Sequence, residues 1–594
     1  MFLSGDFPAR RWPEAEELLR RALPPGLSPH LPPDPPTTTA AAVEAIAHAL
    51  CAWAGFRGTP VRRTAAGAQQ LHCAAMPAGY LDLPHNAMMF ATRLLAAVVE
   101  GVPLDDWLAA HRPALLDFRR GADQSLSGSR RYIVRAAERR SLPWRSLSGA
   151  GVIIQVGEGR HARLFDGSAT WLTGTPNLRL AGNKQSANRM LHRAGVPVAR
   201  QLPVPTIAAA RKALAVLGVP LVIKPTDERR QAGVTFVYGA DELESAYAAA
   251  AEVSENLIAE SYLPGDEYRA LVISGRVRSV IASTPATVVG DGRSTIEELV
   301  EAVNLAGDRG RRDEGFVLSP ILWNDLSKRF LAFNGHTPQE VLPAGRRIEI
   351  YPLPIMRFGA GRKIDVTDRV HPDNDAMLVR AAEVMGLDVA GIDLRMPDVA
   401  RSWREVGAGL CEVNPQPALS VHYNVEPPLV RDVGDMLLEA HMPRGERWLM
   451  THVMVVGDAA HEPTMQQIAA GLRAAFGWRV ATATPTAIDL EGWQPREAAV
   501  PLSERYSTII EDRTLDAAVY LAPAGEIMRN GLGFQHLDVA LVDHVRGQPA
   551  PGQIPTLSAL SAAGAVLVGR PSDPGRALHA VLEALRRRGK SPPR

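Results

Sequence analysis

The apolar positions along this chain switch between two periods, and each switch marks an element boundary. Helical spacing runs over about Ala40 to Trp53 and Ala87 to Glu100. From Ser127, "SGSRRYIVRAAERRSLPWRSL" predicts a basic helix ending before Pro143; "VIIQVGEG" and "RHARLF" then alternate as a hairpin closed by Gly157 to Gly159. From Asn183 the signals become regular. Asn183 caps a helix through Arg193 that stops at Gly195, a second helix lies near Thr206 to Leu217, and the strands "VPLVIKP" and "GVTFVYG" follow. A helix at Asp241 to Val253 leads into "NLIAESYLPGDEYRALVISGRV", which reads as strand, turn and strand. Ser294 and Glu297 are spaced as a capping box ahead of the helix holding Leu299 and Val303. From Trp448 the pattern is a buried strand, a helix at Met465 to Phe476 and several short apolar strands, which predicts a small parallel sheet.

The fold class that follows is α+β, with an α/β region on either side of the central part. Boundaries fall so that residues 1–175 form an N-terminal domain, 176–445 a central domain and 446–585 a last domain. Residues 586–594 form a charged, proline-bearing tail expected to be disordered. The proline-rich stretch Pro24 to Thr39 reads as a linker or surface loop.

Chemistry concentrates where "GIDLRM" (from Gly391) is followed by "GLCEVNPQPAL" (to Leu419). Residues two apart on a strand share a face, so Glu412 and Asn414 project together, and Asp393 joins them if the two strands pair. Three oxygen donors in one small volume suit a hard cation such as Mg²⁺ that also holds nucleotide phosphates. Three polar residues at strand ends facing water is the other reading of this segment alone. Cys411, beside Glu412, is expected by alternation on the opposite face, as a core thiol.

Bulk composition narrows the classes. With 594 residues, 46% hydrophobic and 22% charged, the chain has the make-up of an ordinary soluble protein. A net charge of +1 argues against wholesale binding to nucleic acid or an anionic membrane. Its three cysteines, Cys51, Cys73 and Cys411, lack metal-like spacing and read as reduced thiols. The first residues carry charges before any apolar run develops, and no stretch approaches the roughly 20 apolar residues of a membrane span. A cytoplasmic protein is expected.

Single residues add candidates. Lys224 ends an apolar strand and needs an anionic partner there, whether a phosphate or a carboxylate. Lys184 sits in the first turn of a helix, where its charge opposes the dipole unless an anion lies nearby. Glu260 and Glu267 bracket "SYLPGD", where two surface acids are an equally good reading.

The ordered series "NK", "VIKP", "IAESYLPGDEYR", "PATVVGDGRSTIEELVEAVN", "DVTDRVHPDN", "GLDVAGIDL" and "CEVNPQPAL" resembles the ATP-grasp domain of cyanophycin synthetases over about Asn183 to Pro443. The basic helix and hairpin upstream resemble the end of that family's amino-terminal domain. The resemblance implies an ATP- and Mg²⁺-dependent carboxylate–amine ligase. Carried over by position, Asp393, Glu412 and Asn414 hold the metal, Lys184 and Lys224 contact phosphates, and Glu260 and Glu267 hold adenine and ribose. Arg269 is implied as a clamp for a substrate carboxylate or phosphate, and Asp227 and Gly233 remain from a glycine-rich phosphate loop.

The departures are specific. That loop reads "DERRQAG", with Glu228 and Gln231 where small residues let amides approach phosphate. Ahead of "DVTD", Met356, Phe358, Ala360 and Gly361 replace the family's Asn-x-Ser-x-Gly-Gly. At the phosphate loop of the family's Mur-ligase-like half stands "VVGDAAHEPT" (Val455 to Thr464), without a lysine. The expectation is a degenerate Mur-ligase-like domain without an ATP site. The whole therefore resembles the short family forms that polymerise β-aspartyl-arginine dipeptides. The alternatives are a ligase adding one amino acid or modified peptide to a short acceptor, and a non-catalytic nucleotide- or peptide-binding protein. A homodimer or larger homo-oligomer is expected by resemblance.

Overall fold

A computed structural model describes residues 8–22, 35–36, 39–53, 82–103, 105–107, 109–111, 128–147, 153–226, 233–263, 265–283, 285–306, 309, 318–352, 363–425, 431–495, 502–530, 536–542, 565–569 and 573–590. Tertiary contacts divide the chain into two units: Asp166–Ala440, and a second made jointly by Met1–Phe165 and His441–Arg594. Among the described residues no helix is long and apolar enough to cross a membrane.

The central unit is built on two antiparallel sheets. The larger orders its strands Lys363–Asp365, Arg276–Ser283, Asp266–Ile273, Val389–Met396 and Gly409–Asn414. Alternation gives it two unlike faces. Tyr268, Ala270, Val272, Val280, Ala390, Ile392, Leu394 and Val413 bury on one face, under the helices Lys184–Arg193 and Pro372–Val384. The other face carries Glu267, Arg269, Asp393 and Arg395, with Glu412 and Asn414 beside them.

The smaller sheet orders Gln201–Pro203, Leu257–Ser261, Leu221–Pro225 and Thr235–Val237. Leu221, Ile223, Val237, Leu257 and Ala259 pack under the helices Ile207–Leu217 and Leu243–Ala251. Val222, Lys224 and Glu260 therefore lie on the other side, where Val222 clusters with Phe236 and with Phe330 of the helix Asp325–Phe333, and Val222 stands directly opposite Glu260.

Local signals explain most boundaries. The Asn183 side chain accepts from Ser186 N at 2.9 Å and starts the helix Lys184–Arg193; Thr206 does the same for Ile207–Leu217. The capping box lies one residue beyond its predicted place. Thr295 and Glu298 form it, because Ser294 is taken by the Asp291 carboxylate through both its N–H and its hydroxyl.

In the second unit, Trp144–Ser146 pairs antiparallel with Ile153–Val156. A six-stranded sheet orders Ile488–Asp489, Val480–Ala483, Ala517–Ala522, Thr451–Val456, Val539–Val542 and Val566–Gly569, parallel except for the first pair. Apolar side chains bury on both faces, as the continuous apolar strands require. The helix Pro574–Arg587 runs into the segment expected to be a disordered tail, and Lys590 Nζ lies 3.1 Å from Asp538 Oδ1. Residues 591–594 lie outside the described residues.

Candidate functional site

The site grows from one strand pairing. Val389–Met396 and Gly409–Asn414 run antiparallel with Asp393 opposite Glu412 and Gly391 opposite Asn414. Both carboxylates and the amide thereby share the polar face. Asn414 Nδ2 donates to Asp393 Oδ2 at 3.1 Å, which leaves the amide oxygen to a ligand. The donor set is two carboxylates and an amide oxygen, all hard, and it fits Mg²⁺ with its preference for oxygen.

Arg269 on the neighbouring strand faces Asp393 in register, and its Nη1 reaches both carboxylate oxygens at 2.5 and 2.6 Å. Its path depends on Gly391. A Cβ there would stand 3.1 Å from Arg269 Nε and 2.5 Å from Pro417 Cβ, so the missing side chain makes room for the guanidinium. Glu267, two residues earlier, is half-buried. Burial first, then the Asp393 carboxylate, push its carboxyl up to about 7 against the pull of Arg395, Arg269 and Lys363.

Across from this face, Lys224 Nζ meets Glu260 Oε2 at 2.7 Å, and Gln201 Nε2 donates to the same oxygen at 2.5 Å. Burial alone would lower the Lys224 ammonium, but Glu260 outweighs it and the net direction is upward. Lys184 Nζ stands 4.0 Å from Glu412 Oε1. Lys184, Lys224, Glu260, Glu267, Arg269, Asp393, Glu412 and Asn414 are thus gathered on two facing surfaces. Gly233 closes against the end of the Lys224 strand with φ +68°, where a Cβ would come within 2.8 Å of Pro225 Cγ. Asp227 lies outside the described residues, as do Glu228, Gln231, Met356, Phe358, Ala360 and Gly361.

One orientation differs from expectation. The register slips by one between Asp393 and Leu394, so Cys411 is the extra residue of a β-bulge. Alternation fails there, and Cys411 is half-buried rather than a core thiol. Burial, then the Glu260 carboxylate, raise its thiol well above the usual range, although Lys224 pulls the other way.

Sequence reasoning also missed three participants. Arg395 follows Asp393 by two on the same strand, a signal that alternation supplies; its Nη2 donates to Gly265 O at 2.7 Å and its guanidinium lies 5.0 Å from the Tyr262 ring centre. Gln201 gave no signal, because nothing in its sequence context shows which strand it borders. His422, isolated in the sequence from any other candidate, is fully buried with Nδ1 2.8 Å from Ser279 Oγ. Burial, then Arg269 and Lys363, hold its imidazole down at about 3, so it is neutral at ordinary pH.

In the other unit, the loop after Thr451–Val456 is filled from within. Asp458 Oδ1 accepts from Ala460 N at 3.0 Å and lies 3.0 Å from His461 Nδ1. That nitrogen stands 2.5 Å from where a Cβ on Gly457 would be, so the imidazole covers the glycine.

Two antiparallel sheets, each helix-covered on one side and carrying charge on the other, define the ATP-grasp class. The chain is 31% identical over 425 residues to the cyanophycin synthetase of Trichormus variabilis, covering 71% of this chain and 47% of that one. It is 31% identical over 471 residues to the cyanophycin synthetase of Geminocystis herdmanii, covering 78% and 53%. The chain belongs to the cyanophycin synthetase family, and it spans about half the length of the curated relatives it matches. A glutathione biosynthesis bifunctional protein of Streptococcus thermophilus matches at 30% identity over 208 residues, 34% of this chain and 27% of that one. Among solved structures, a bifunctional glutathione synthetase from Pasteurella multocida aligns with a TM-score of 0.38 and 21% identity, over 61% of this chain and 50% of that one. No protein-family model matches the chain.

Proposed function

We propose that the protein is an ATP- and Mg²⁺-dependent carboxylate–amine ligase that joins β-aspartyl-arginine-type dipeptides into cyanophycin or a related polymer. The observation that carries this reading is the register of Asp393 against Glu412 with Asn414 beside them, facing Lys184 and Lys224. In the reaction, an acceptor carboxylate oxygen bonds to the γ-phosphorus of ATP as ADP leaves. The amine of the incoming dipeptide then attacks the acyl carbon of the resulting acyl phosphate. The amide forms, inorganic phosphate departs, and the amine loses a proton to solvent.

Charge is the demand at every stage, and this chain's residues meet it by position. Lys224 and Lys184 neutralise phosphate oxygens. Asp393, Glu412 and Asn414 would hold Mg²⁺, which supplies neutralisation of the triphosphate when bound. Arg269 is pre-positioned over Asp393, and its planar fork suits a substrate carboxylate once Asp393 is engaged elsewhere. Glu260 and Glu267 are the candidates for the nucleoside end, and Asp227 and Gly233 for the phosphate loop. The protein is read as a cytoplasmic homodimer or larger homo-oligomer.

The covered Gly457 and the missing lysine support a Mur-ligase-like part without its own ATP site, hence one amide bond per cycle. The "DERRQAG" loop favours a second reading, a single coupling to a short acceptor. A screen of ATP hydrolysis against β-aspartyl-arginine, free amino acids and short oligomers, read by mass spectrometry, tests both. Dipeptide-dependent ADP release with a ladder of products supports polymerisation. Release that stops after one coupling selects the second reading, and no turnover with any substrate overturns both.

A further inference from the structure

Three potential ligands meet in the unit formed by the two flanks, away from any residue assigned above. Glu158 sits between Gly157 and Gly159, which both have positive φ (+83° and +53°). A Cβ on Gly159 would stand 2.5 Å from Leu515 O and 2.5 Å from Met450 Sδ, so the tight turn carries Glu158 fully inside. There its Oε2 lies 2.9 Å from His452 Nε2 and 3.9 Å from His536 Nδ1. One ligand atom from each of the three residues lies within 4.8 Å of the other two.

The surroundings are those of a built site. A ligating imidazole typically gives its second nitrogen to a carboxylate, carbonyl or hydroxyl that fixes its orientation. His452 Nδ1 lies 3.3 Å from the Tyr520 hydroxyl, and His536 Nε2 lies 3.4 Å from Asp538 Oδ2. The Tyr506 hydroxyl donates to Glu158 Oε1, while Oε2 accepts from Met450 N at 3.1 Å and faces the imidazoles. Asp538 is braced by Lys590 at 3.1 Å and accepts from His452 N at 3.0 Å. His536 Nδ1 is buried without a hydrogen-bond partner among the described residues. Such an orphan is costly unless something binds it. His536 is itself half-buried, which leaves an entry path to a pair that is otherwise sealed.

We propose that Glu158, His452 and His536 bind one divalent transition metal of the Zn²⁺ type, with a fourth position open to water. Two imidazole nitrogens and one carboxylate oxygen suit a borderline-soft ion and distinguish this site from the all-oxygen set at Asp393. On binding, His452 exchanges its Nε2 proton for one on Nδ1, which then donates to the Tyr520 hydroxyl oxygen, so the imidazole stays neutral while the Glu158–His452 hydrogen bond is exchanged for two metal–ligand bonds. The ion fastens the turn near residue 158 to the sheet strand that begins at Thr451.

Cobalt(II) titration of the full-length, chelator-treated protein tests this. The expected result is one strongly absorbing, tetrahedral Co²⁺ per chain, displaced by Zn²⁺, unchanged in Asp393→Asn and lost in His536→Asn. Asp538→Asn should weaken affinity about 10- to 100-fold. The conservative Glu158→Gln, with folding checked by circular dichroism, covers the case in which a histidine variant fails to fold. Absence of the band in the folded wild-type protein, or its persistence in His536→Asn at unchanged affinity, would overturn the proposal.

Discussion

Asp393 holds several interactions at once: it faces Glu412, accepts from Asn414 and pairs with Arg269. Asp393→Ala or Glu412→Ala should lower turnover at least a hundredfold, a loss typical of a charge-stabilising group, while the circular dichroism spectrum stays that of wild type. His422 provides a pH test. Its imidazole titrates near 3 in the folded state and near 6.5 when unfolded, so only the unfolded state takes up the proton as pH falls between those values. Stability attributable to this group is complete above 6.5 and declines by up to about 1.4 kcal/mol per pH unit below it. Urea unfolding at pH 7 and pH 5 should show that loss, and His422→Gln should flatten the difference. Asp393, Glu412 and Asn414 were legible because strand alternation and a short sequence gap suffice to place them. His422 and Gln201 were not, because their partners arrive from strands distant in the chain.

Elements were read well where local chemistry decides them. Asn183 caps the helix it was expected to, and Thr206, near which the next helix was expected to begin, caps that one, because side-chain oxygen and amide lie within three residues of each other. The misplacement of the capping box by one residue has an equally local cause, since Asp291 competes for Ser294. Cys411 shows the limit of periodicity: a single bulge reverses the facing of a residue, and no local signal in "GLCEVN" announces it. The same strand pair yields a prediction about close approach. Gly391→Ala should force Arg269 off Asp393 and cost about 1–3 kcal/mol from overpacking against Pro417. Turnover should fall more than stability does, as denaturant titration and steady-state assays on one preparation would show. His461→Ala, in the loop whose glycine it covers, should leave ligase turnover unchanged.

The chain's two units differ in how far sequence could reach them. The central one carries a continuous run of family-like motifs; the other is assembled from both ends, a long-range pairing that no window of sequence displays. Gln155 Nε2 donates to Ile510 O at 2.8 Å, Arg145 pairs with Glu511 at 2.8 Å and Arg160 with Asp516 at 3.0 Å. Without residues 441–594 these contacts have no counterpart. A chain ending at Ala440 should therefore lose hydrogen-exchange protection over 128–147 and 153–165 while the described residues of 166–440 keep theirs, and equal protection in both chains would contradict the assignment of the flanks to one unit.

The central claim is that a nucleotide's triphosphate lies between Lys184, Lys224 and the Asp393, Glu412, Asn414 set. A crystal structure of the full chain grown with a non-hydrolysable ATP analogue and Mg²⁺ tests it most directly. The account predicts the terminal phosphates and a cation against those residues, with Arg269 turned away from Asp393. Nucleotide bound elsewhere, or a site still closed by the Arg269–Asp393 pair at saturating nucleotide, would contradict it.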